Sequence, residues 1–198
     1  MKSTPSKKRN FILIKNAALY VVLFLAAIMV LVGHYNEDAL APDEIKSAVE
    51  DERSEAGFMA PAFTVRDLKG NLDSLANYQG QVVILNLWAT WCGPCRIEMP
   101  GFEKLYRRFR SEGLAVLAVS IDKGNDQAVA EFALEYNLSF PVLLDDKKEV
   151  ESRYHTFTIP TTYVIDRSGK IVFKVDGAKN WQSDETFKSI EYLLKAQQ

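Results

Sequence analysis

The amino-acid sequence predicts an α/β domain in which helices cover both faces of a central mixed sheet, preceded by a single transmembrane helix. Apolar runs rich in β-branched residues at 82–88 and 114–121 have the length and composition of buried central strands. Each is followed by a segment with apolar residues at helical spacing, 96–110 and 126–136. A strongly apolar stretch at residues 11–32 predicts the transmembrane helix.

The N-terminal segment has the charge pattern of a membrane anchor. Its apolar stretch is interrupted only by Lys15 and Asn16, and about twenty apolar residues are enough to span a bilayer. The basic residues that precede it are Lys2, Lys7, Lys8 and Arg9. Acidic residues dominate the segment that follows, so we expect the basic end to stay in the cytoplasm and the rest of the chain to cross the membrane.

These features divide the chain into a cytoplasmic basic tail (1–10), a transmembrane anchor (11–32), an acidic linker (33–56) and one domain (57–198). A cleavable signal peptide is the alternative, because Ala39-Leu40-Ala41 has the form of a cleavage site. The apolar stretch is longer than the ~7–15 residues usual for a signal peptide. Either interpretation places the domain outside the cytoplasm, in the periplasm or extracytoplasmic space, and the anchor would hold it at a bacterial cytoplasmic membrane.

The first half of the domain begins with a predicted hairpin. Residues 63–65 and 71–75 flank Lys69-Gly70-Asn71, a turn sequence between two short strand patterns. The strand at 82–88 comes next, and Gly93-Pro94 marks the turn into the first helix. The hairpin is therefore an addition in front of the central sheet.

The second half alternates in the same way. Asn125 is predicted to cap the second helix, and residues 140–144 form either an edge strand or an extended link. Residues 161–165 and 171–175 predict a second hairpin, and Ser183 is predicted to cap the last helix.

The only two cysteines of the chain, Cys92 and Cys95, lie three residues apart directly after the first central strand. The pattern places them at a helix N-terminus, where free backbone N–H groups and the helix dipole stabilise a thiolate, the nucleophilic form of cysteine. Cys92 is the expected nucleophile. Cys95 lies one turn further in and can attack Cys92 once a mixed disulfide has formed. The pair therefore predicts dithiol–disulfide exchange.

Three other uses of the pair compete with this interpretation. A structural zinc site needs about four ligands, and the chain adds only His34 and His155 to the cysteines. A purely structural disulfide would close a very small loop and stabilise the fold little. Copper(I) binding by the two thiolates, with Met99 or His155, is the third.

The segment Trp91-Cys92-Gly93-Pro94-Cys95-Arg96, with Pro100 after it, resembles the active-site helix of the thioredoxin superfamily. The resemblance extends to Thr158-Ile159-Pro160-Thr161, which is similar to the family's cis-proline loop. It implies a thioredoxin-like fold, in which a cis bond sets backbone groups beside the disulfide to hold an extended substrate segment. The substrate-binding residues that it implies are Trp91, Gly93, Pro94, Ile159 and Pro160.

Two positions differ from cytosolic thioredoxin. Asn86 occupies the strand position of a buried aspartate that moves protons for the inner cysteine, and an amide cannot titrate. Glu98 replaces an apolar residue, and at i+3 from Cys95 its carboxylate can share a helix face with the sulfurs. Together these features resemble the TlpA/ResA-like group of membrane-anchored thiol-disulfide oxidoreductases of the redoxin type, in which that glutamate is functional. A solvated glutamate on an exposed turn is the alternative.

The Gly-Pro dipeptide between the cysteines resembles reducing thioredoxins, near −270 mV, more than strong oxidants near −120 mV. The prediction is a protein-disulfide reductase in which Cys92, Cys95 and Glu98 are catalytic. The resemblance implies a membrane-embedded electron donor of the DsbD/CcdA type, and protein substrates such as apocytochrome c in cytochrome c biogenesis or copper-site assembly proteins. No cofactor or bound metal is predicted, and a net charge of −2 gives no reason to expect nucleic-acid binding.

Other functions stay open. A thiol oxidase would use the same pair in the opposite direction. A peroxidase-like redoxin usually places its reactive cysteine in a different loop context. A copper(I) chaperone of the Sco-like type would be tethered and thioredoxin-folded as well, but that group spaces its cysteines by three residues, whereas two separate them here.

Overall fold

The computed structural model describes residues 54–196. The predicted basic tail, the predicted transmembrane anchor and all but the end of the acidic linker lie outside the described residues. Within 54–196, none of the helices combines the length and the apolar character needed to cross a bilayer.

A single mixed sheet of seven strands, in the order β2-β1-β5-β4-β3-β6-β7, forms the centre of the domain. The strands are β1 (Thr64–Asp67), β2 (Leu72–Ser74), β3 (Val82–Trp88), β4 (Leu114–Ser120), β5 (Val142–Leu144), β6 (Thr161–Ile165) and β7 (Ile171–Asp176). Strands β3, β4 and β5 run parallel to one another, β6 pairs with β3 in antiparallel orientation, and β7 pairs with β6 in antiparallel orientation. The central strands, the N-terminal hairpin and the second hairpin all form as predicted.

The segment at 140–144 corrects one expectation. It was predicted as an edge strand or an extended link, but β5 lies inside the sheet, where β4 pairs with it in parallel and β1 in antiparallel orientation. The N-terminal hairpin therefore extends the sheet and covers the edge that β5 would otherwise present. On that side of the sheet, β2 is the edge strand.

Four α-helices within residues 54–196 accompany the sheet, and three of them follow the predictions. They are α1 (Gly93–Phe109), α2 (Asp126–Glu135), α3 (Glu149–Arg153) and α4 (Asp184–Lys195). The caps are as predicted, since Asn125 accepts from the backbone N–H of Ala128 and Ser183 from that of Thr186. Helix α1 begins earlier than expected, at Gly93, because Pro94 fits the first turn of a helix. The short α3 was not predicted.

Two apolar cores lie on the two faces of the sheet. Alternation along β3 sends Ile84 and Trp88 to one face and Leu85 and Leu87 to the other. The first core takes its helical residues from α1, α2 and α4. The second is covered by the five residues of α3 and by the segment that leads into β1. Helices therefore cover both faces, but unequally.

The register of the sheet brings three loops together at one end. Trp88 ends β3 opposite Ser120, the last residue of β4. On its other side Leu87 pairs with Thr161, the first residue of β6. Three segments consequently meet at the same end of the sheet: the loop that leads to the cysteines, the loop after β4 and the segment before Thr161.

Candidate active site

The cysteines form a disulfide at the start of α1. The bond joins Cys92 and Cys95, whose Cα atoms are 5.3 Å apart. Cys92 is the N-cap residue of α1, and its Sγ accepts a hydrogen bond from the backbone N–H of Cys95 at 3.2 Å. Cys95 is fully buried, whereas Cys92 retains 5% of its surface. The outer sulfur is thus the one that another molecule reaches first.

A sulfur in the N-cap position has a chemical advantage. A helix N-terminus leaves backbone N–H groups unsatisfied and carries the positive end of the helix dipole, both of which stabilise a thiolate. The first turn of α1 contains no acidic residue that would oppose this effect. When the disulfide is reduced, Cys92 is therefore placed to ionise and act as a nucleophile.

Asp122 holds the loop that leads to Cys92. One of its carboxylate oxygens accepts from the backbone N–H of Thr90 at 2.9 Å and from the hydroxyl of Ser120 at 2.7 Å. The other accepts from the hydroxyl of Thr90 at 2.7 Å. Asp122 therefore ties the end of β4 to the active-site loop.

Replacing Asp122 with asparagine is expected to destabilise the oxidised protein by about 1–3 kcal/mol, because an amide NH₂ group cannot accept at one of the two oxygen positions and leaves a buried donor unpaired. Urea unfolding measures this. Asp184→Asn removes the same charge from an exposed position and should change stability by no more than about 0.5 kcal/mol. Equal effects of the two substitutions would contradict the role of Asp122.

The predicted proline loop lies beside the disulfide end of β3. The Ile159–Pro160 bond is cis, as predicted. The carbonyl of Pro160 accepts from the N–H of Gly177 at 2.8 Å, and the hydroxyl of Thr161 donates to the carbonyl of Thr158 at 2.7 Å. Among the described residues, nothing bonds the backbone N–H or C=O of Ile159. These two groups are available to an extended peptide.

The residues of the predicted substrate surface differ in their accessibility. Trp91 is 69% exposed. Gly93 and Pro94 are exposed in the first turn of α1, Ile159 is half-buried and Pro160 is buried. Trp91 also lines an open cleft together with Asp122, Lys123, Asn125 and Glu151. The indole therefore offers an apolar contact next to the reactive sulfur.

Glu98 is buried, which excludes the solvated glutamate considered as an alternative. It is 2% exposed. Its Oε1 accepts from the backbone N–H of Lys179 and from the indole Nε1–H of Trp181, both at 2.6 Å. Its Oε2 is buried and has no partner within the described part of the chain. Burial raises the pKa of Glu98, and the hydrogen bonds from Lys179 and Trp181 partly oppose that increase.

Replacing Glu98 with glutamine is expected to change how stability depends on pH. Because the folded-state pKa of Glu98 is raised, its contribution to stability is fully present below its ordinary value of 4.5 and is lost as the pH rises through the folded value. Glutamine does not titrate and causes no such loss of stability. The urea midpoint of the variant should therefore increase relative to that of the wild type as the pH rises from 4 towards 8.

Glu185→Gln, which removes an exposed carboxylate from α4, is the charge control for that comparison. Parallel curves for the wild type and Glu98→Gln would show that Glu98 does not titrate abnormally. Both proteins are compared in the oxidised state, so that the cysteines do not titrate.

Asn86 is fully buried at the centre of β3. Its Nδ2 donates to the hydroxyl of Thr162 at 2.9 Å across the β3–β6 pair, and its Oδ1 is buried without a partner among the described residues. The side chain is held in place but cannot exchange a proton. Within the described residues Glu98 is the acidic side chain of α1 that lies nearest to the cysteines in sequence.

Sequence reasoning missed the two contacts that hold Glu98. The sequence around Trp181 does not indicate its hydrogen bond to Glu98, and the N–H of Lys179 gives no sequence signal at all. Both lie more than eighty residues from Glu98 along the chain. Among residues 54–196, no group of three or more histidine, cysteine, aspartate or glutamate side chains is arranged to hold a metal ion.

A mixed sheet, a redox disulfide at a helix N-terminus and a cis-proline beside it define a thiol-disulfide oxidoreductase with a thioredoxin-like fold. Residues 56–174 match the AhpC/TSA family, and the chain belongs to that family.

Similar proteins carry names that agree with this class. The thiol-disulfide oxidoreductase ResA of Bacillus thuringiensis subsp. konkukian is 36% identical over 146 residues, which cover 74% of this chain and 81% of that protein. ResA of Bacillus anthracis is 33% identical over 181 residues, or 91% of this chain and 96% of that protein. Among solved structures, a putative thiol:disulfide interchange protein DsbE from Chlorobium tepidum has a TM-score of 0.65 at 28% identity and covers 71% of this chain and 98% of its own.

Proposed function

We propose that the protein is a membrane-anchored, extracytoplasmic reductase of protein disulfides. The observation that carries the proposal is the disulfide at the start of α1, in which the less buried Cys92 caps the helix and the fully buried Cys95 lies one turn further in. This arrangement separates a sulfur that a substrate can reach from one that acts only within the protein.

The reaction runs in two exchanges. The Cys92 thiolate of the reduced protein attacks one sulfur of the substrate disulfide, forms a mixed disulfide and expels the other substrate sulfur as a thiolate, which takes up a proton from solvent. Cys95 then loses its proton and attacks Cys92, which re-forms the internal disulfide and releases the second substrate thiolate. Two electrons pass to the substrate for each internal disulfide formed.

Glu98 is the proposed acceptor of the Cys95 proton, directly or through a water molecule. The two residues are three positions apart on α1 and both are buried. A carboxyl group whose pKa is raised by burial is better matched to a thiol than an ordinary glutamate is. The unpartnered Oε2 is the oxygen free to take the proton.

The substrate is proposed to bind as an extended segment along Ile159, whose backbone groups are unbonded among the described residues. Pro160 orders that segment, and Trp91, Gly93 and Pro94 form the opposite side of the surface. Substrates of this kind include the CxxCH segment of apocytochrome c and the cysteine pairs of copper-site assembly proteins.

The proposed anchor at residues 11–32 would keep the domain beside a membrane-embedded electron donor of the DsbD/CcdA type. Such a donor is needed because a reductase in an oxidising compartment becomes oxidised at every turnover. The donor's dithiol would reduce the Cys92–Cys95 disulfide by the same exchange run in the opposite direction.

A direct test follows electron flow in both directions. The reduced full-length protein is mixed with an oxidised CxxCH peptide, and in a parallel reaction the oxidised protein is mixed with the reduced peptide. The proposal predicts near-complete transfer of electrons to the peptide in the first mixture and little reaction in the second. Near-complete oxidation of the peptide in the second mixture would make the protein a thiol oxidase. Consumption of hydrogen peroxide in place of peptide disulfide would indicate a peroxidase.

A further inference from the structure

The two hydrogen bonds to Glu98 come from a single loop. Residues 177–183, here called the 177–183 loop, connect β7 to α4. The backbone N–H of Lys179 and the indole N–H of Trp181 converge on the same carboxylate oxygen at 2.6 Å. Trp181 is the only side chain in the described part of the chain that donates to Glu98. A hydrogen bond to an ionised carboxylate favours the ionised form, so the loop opposes the effect of burial.

The indole is held in this position by packing. Trp181 is 3% exposed and its ring centroid lies 4.9 Å from that of Phe102. Gly101 leaves the space that it occupies: a Cβ at this position would lie 2.9 Å from the Cβ of Trp181 and 3.4 Å from its carbonyl carbon. A glycine inside a helix costs about 1 kcal/mol relative to alanine. Here it permits the tryptophan to approach α1 one turn after Glu98.

The same loop also contacts the proline segment. Its first residue, Gly177, donates its N–H to the carbonyl of Pro160 at 2.8 Å. The 177–183 loop therefore joins the backbone beside the proposed substrate surface to the carboxylate that is proposed to receive the proton. Neither contact involves the cysteines themselves.

Among the described residues, no charged side chain donates a hydrogen bond to Glu98 in place of the Trp181 indole. The ammonium of Lys179 lies 5.8 Å from the Trp181 ring centroid, and Glu185 of α4 lines a cavity of about 180 Å³ with both residues. On α1, Arg96 pairs with Glu135, and Lys104 donates to Gln182. On β7, Lys174 pairs with Asp176. The causes of the raised pKa of Glu98 are burial and, in opposition, the two hydrogen bonds from the loop. Cys95, on the same helix, becomes titratable when the disulfide is reduced.

We infer that Trp181 is a positioning residue that holds the Glu98 carboxylate and sets the pH at which Glu98 takes up its proton, with Gly101 providing the space that this requires. The inference deepens the proposed function, because its consequence for thiol chemistry rests on the proposed role of Glu98. Its first part, the control of Glu98 by Trp181, does not depend on that role.

The experiment compares full-length wild type with Trp181→Phe, Glu98→Gln and the double variant. The Glu98 carboxyl is titrated by NMR in the oxidised protein, where the cysteines do not ionise. Loss of the indole donor should move its titration to higher pH by about one to two units. Trp88→Phe makes the same substitution at a buried tryptophan whose Nε1 has no partner among the described residues, and should leave the titration in place.

The second readout is the alkylation rate of the reduced protein with iodoacetamide as a function of pH. In this pH profile, Trp181→Phe should shift the inflection that is lost in Glu98→Gln. The profile of the double variant should match that of Glu98→Gln alone. Gly101→Ala, which displaces the indole without removing it, should shift both readouts in the same direction and serves if Trp181→Phe does not fold.

An unchanged Glu98 titration in both Trp181→Phe and Gly101→Ala would overturn the inference. A shifted titration in these variants would support control of Glu98 by Trp181. If the alkylation profiles of wild type and Glu98→Gln were identical at the same time, the proposed role of Glu98 in proton transfer would be rejected. The two failures are therefore distinguishable.

Discussion

Replacement of Cys92 with serine is expected to abolish disulfide reduction, with a loss on the order of 10³-fold or more, because it removes the nucleophile of the first exchange. Replacement of Cys95 with serine should also stop turnover, but at a later point. The first exchange remains possible, no thiol of the protein can then resolve the mixed disulfide, and it persists once the freed substrate thiol is blocked by alkylation. The asymmetry follows from the burial of Cys95 and the accessible N-cap position of Cys92.

Mass spectrometry of each variant after incubation with an oxidised CxxCH peptide measures this difference. Cys95→Ser should carry one peptide on Cys92, and Cys92→Ser should carry none. The reverse pattern would show that Cys95 is the attacking residue and Cys92 the resolving one. A double serine variant controls for non-covalent binding of the peptide.

Replacement of Trp88 with alanine should produce the largest loss of stability among these variants, about 3–5 kcal/mol, because it deletes a buried aromatic side chain. Trp88 is fully buried at the end of β3, and its ring centroid lies 4.6 Å from that of Phe132. Phe132 stacks in turn on Tyr136 at 4.2 Å, so the cavity would open beneath the loop that leads to Cys92.

Trp88→Phe is the matched variant. It keeps an aromatic ring against Phe132, and it removes an indole N–H that has no hydrogen-bond partner among the described residues. Urea unfolding should therefore show less than half of the loss caused by alanine. Similar losses for the two variants would mean that the indole nitrogen, and not the ring packing, stabilises this position.

The sequence was most informative where a pattern is local. The apolar run at 82–88 predicted both ends of β3 correctly. The Asn125 and Ser183 caps identified the starts of two helices. The Gly93-Pro94 turn and the helical spacing of apolar residues after it were enough to place Cys92 and Cys95 at a helix N-terminus. In each case the signal and the structure that it predicts lie within a few residues of each other.

Features that depend on distant pairing could not be predicted in this way. The segment at 142–144 reads as an edge strand because nothing local shows that β1 pairs with it from about eighty residues earlier. The burial of Glu98 depends on Trp181, and that contact depends on the absence of a side chain at Gly101. Asp122 resembles any aspartate that follows a strand until the loop containing Thr90 folds onto it.

The reduction potential of the Cys92–Cys95 pair decides whether the protein is a reductase or an oxidant. It is measured on the full-length protein, equilibrated against glutathione or dithiothreitol buffers at several pH values. A value near or below about −250 mV is predicted, because a reductase must hold its electrons less tightly than its substrates do. Glu98→Gln, measured alongside, should alter the pH dependence of that potential. A value near −120 mV would show instead that the protein is an oxidant of thiols and not a reductase.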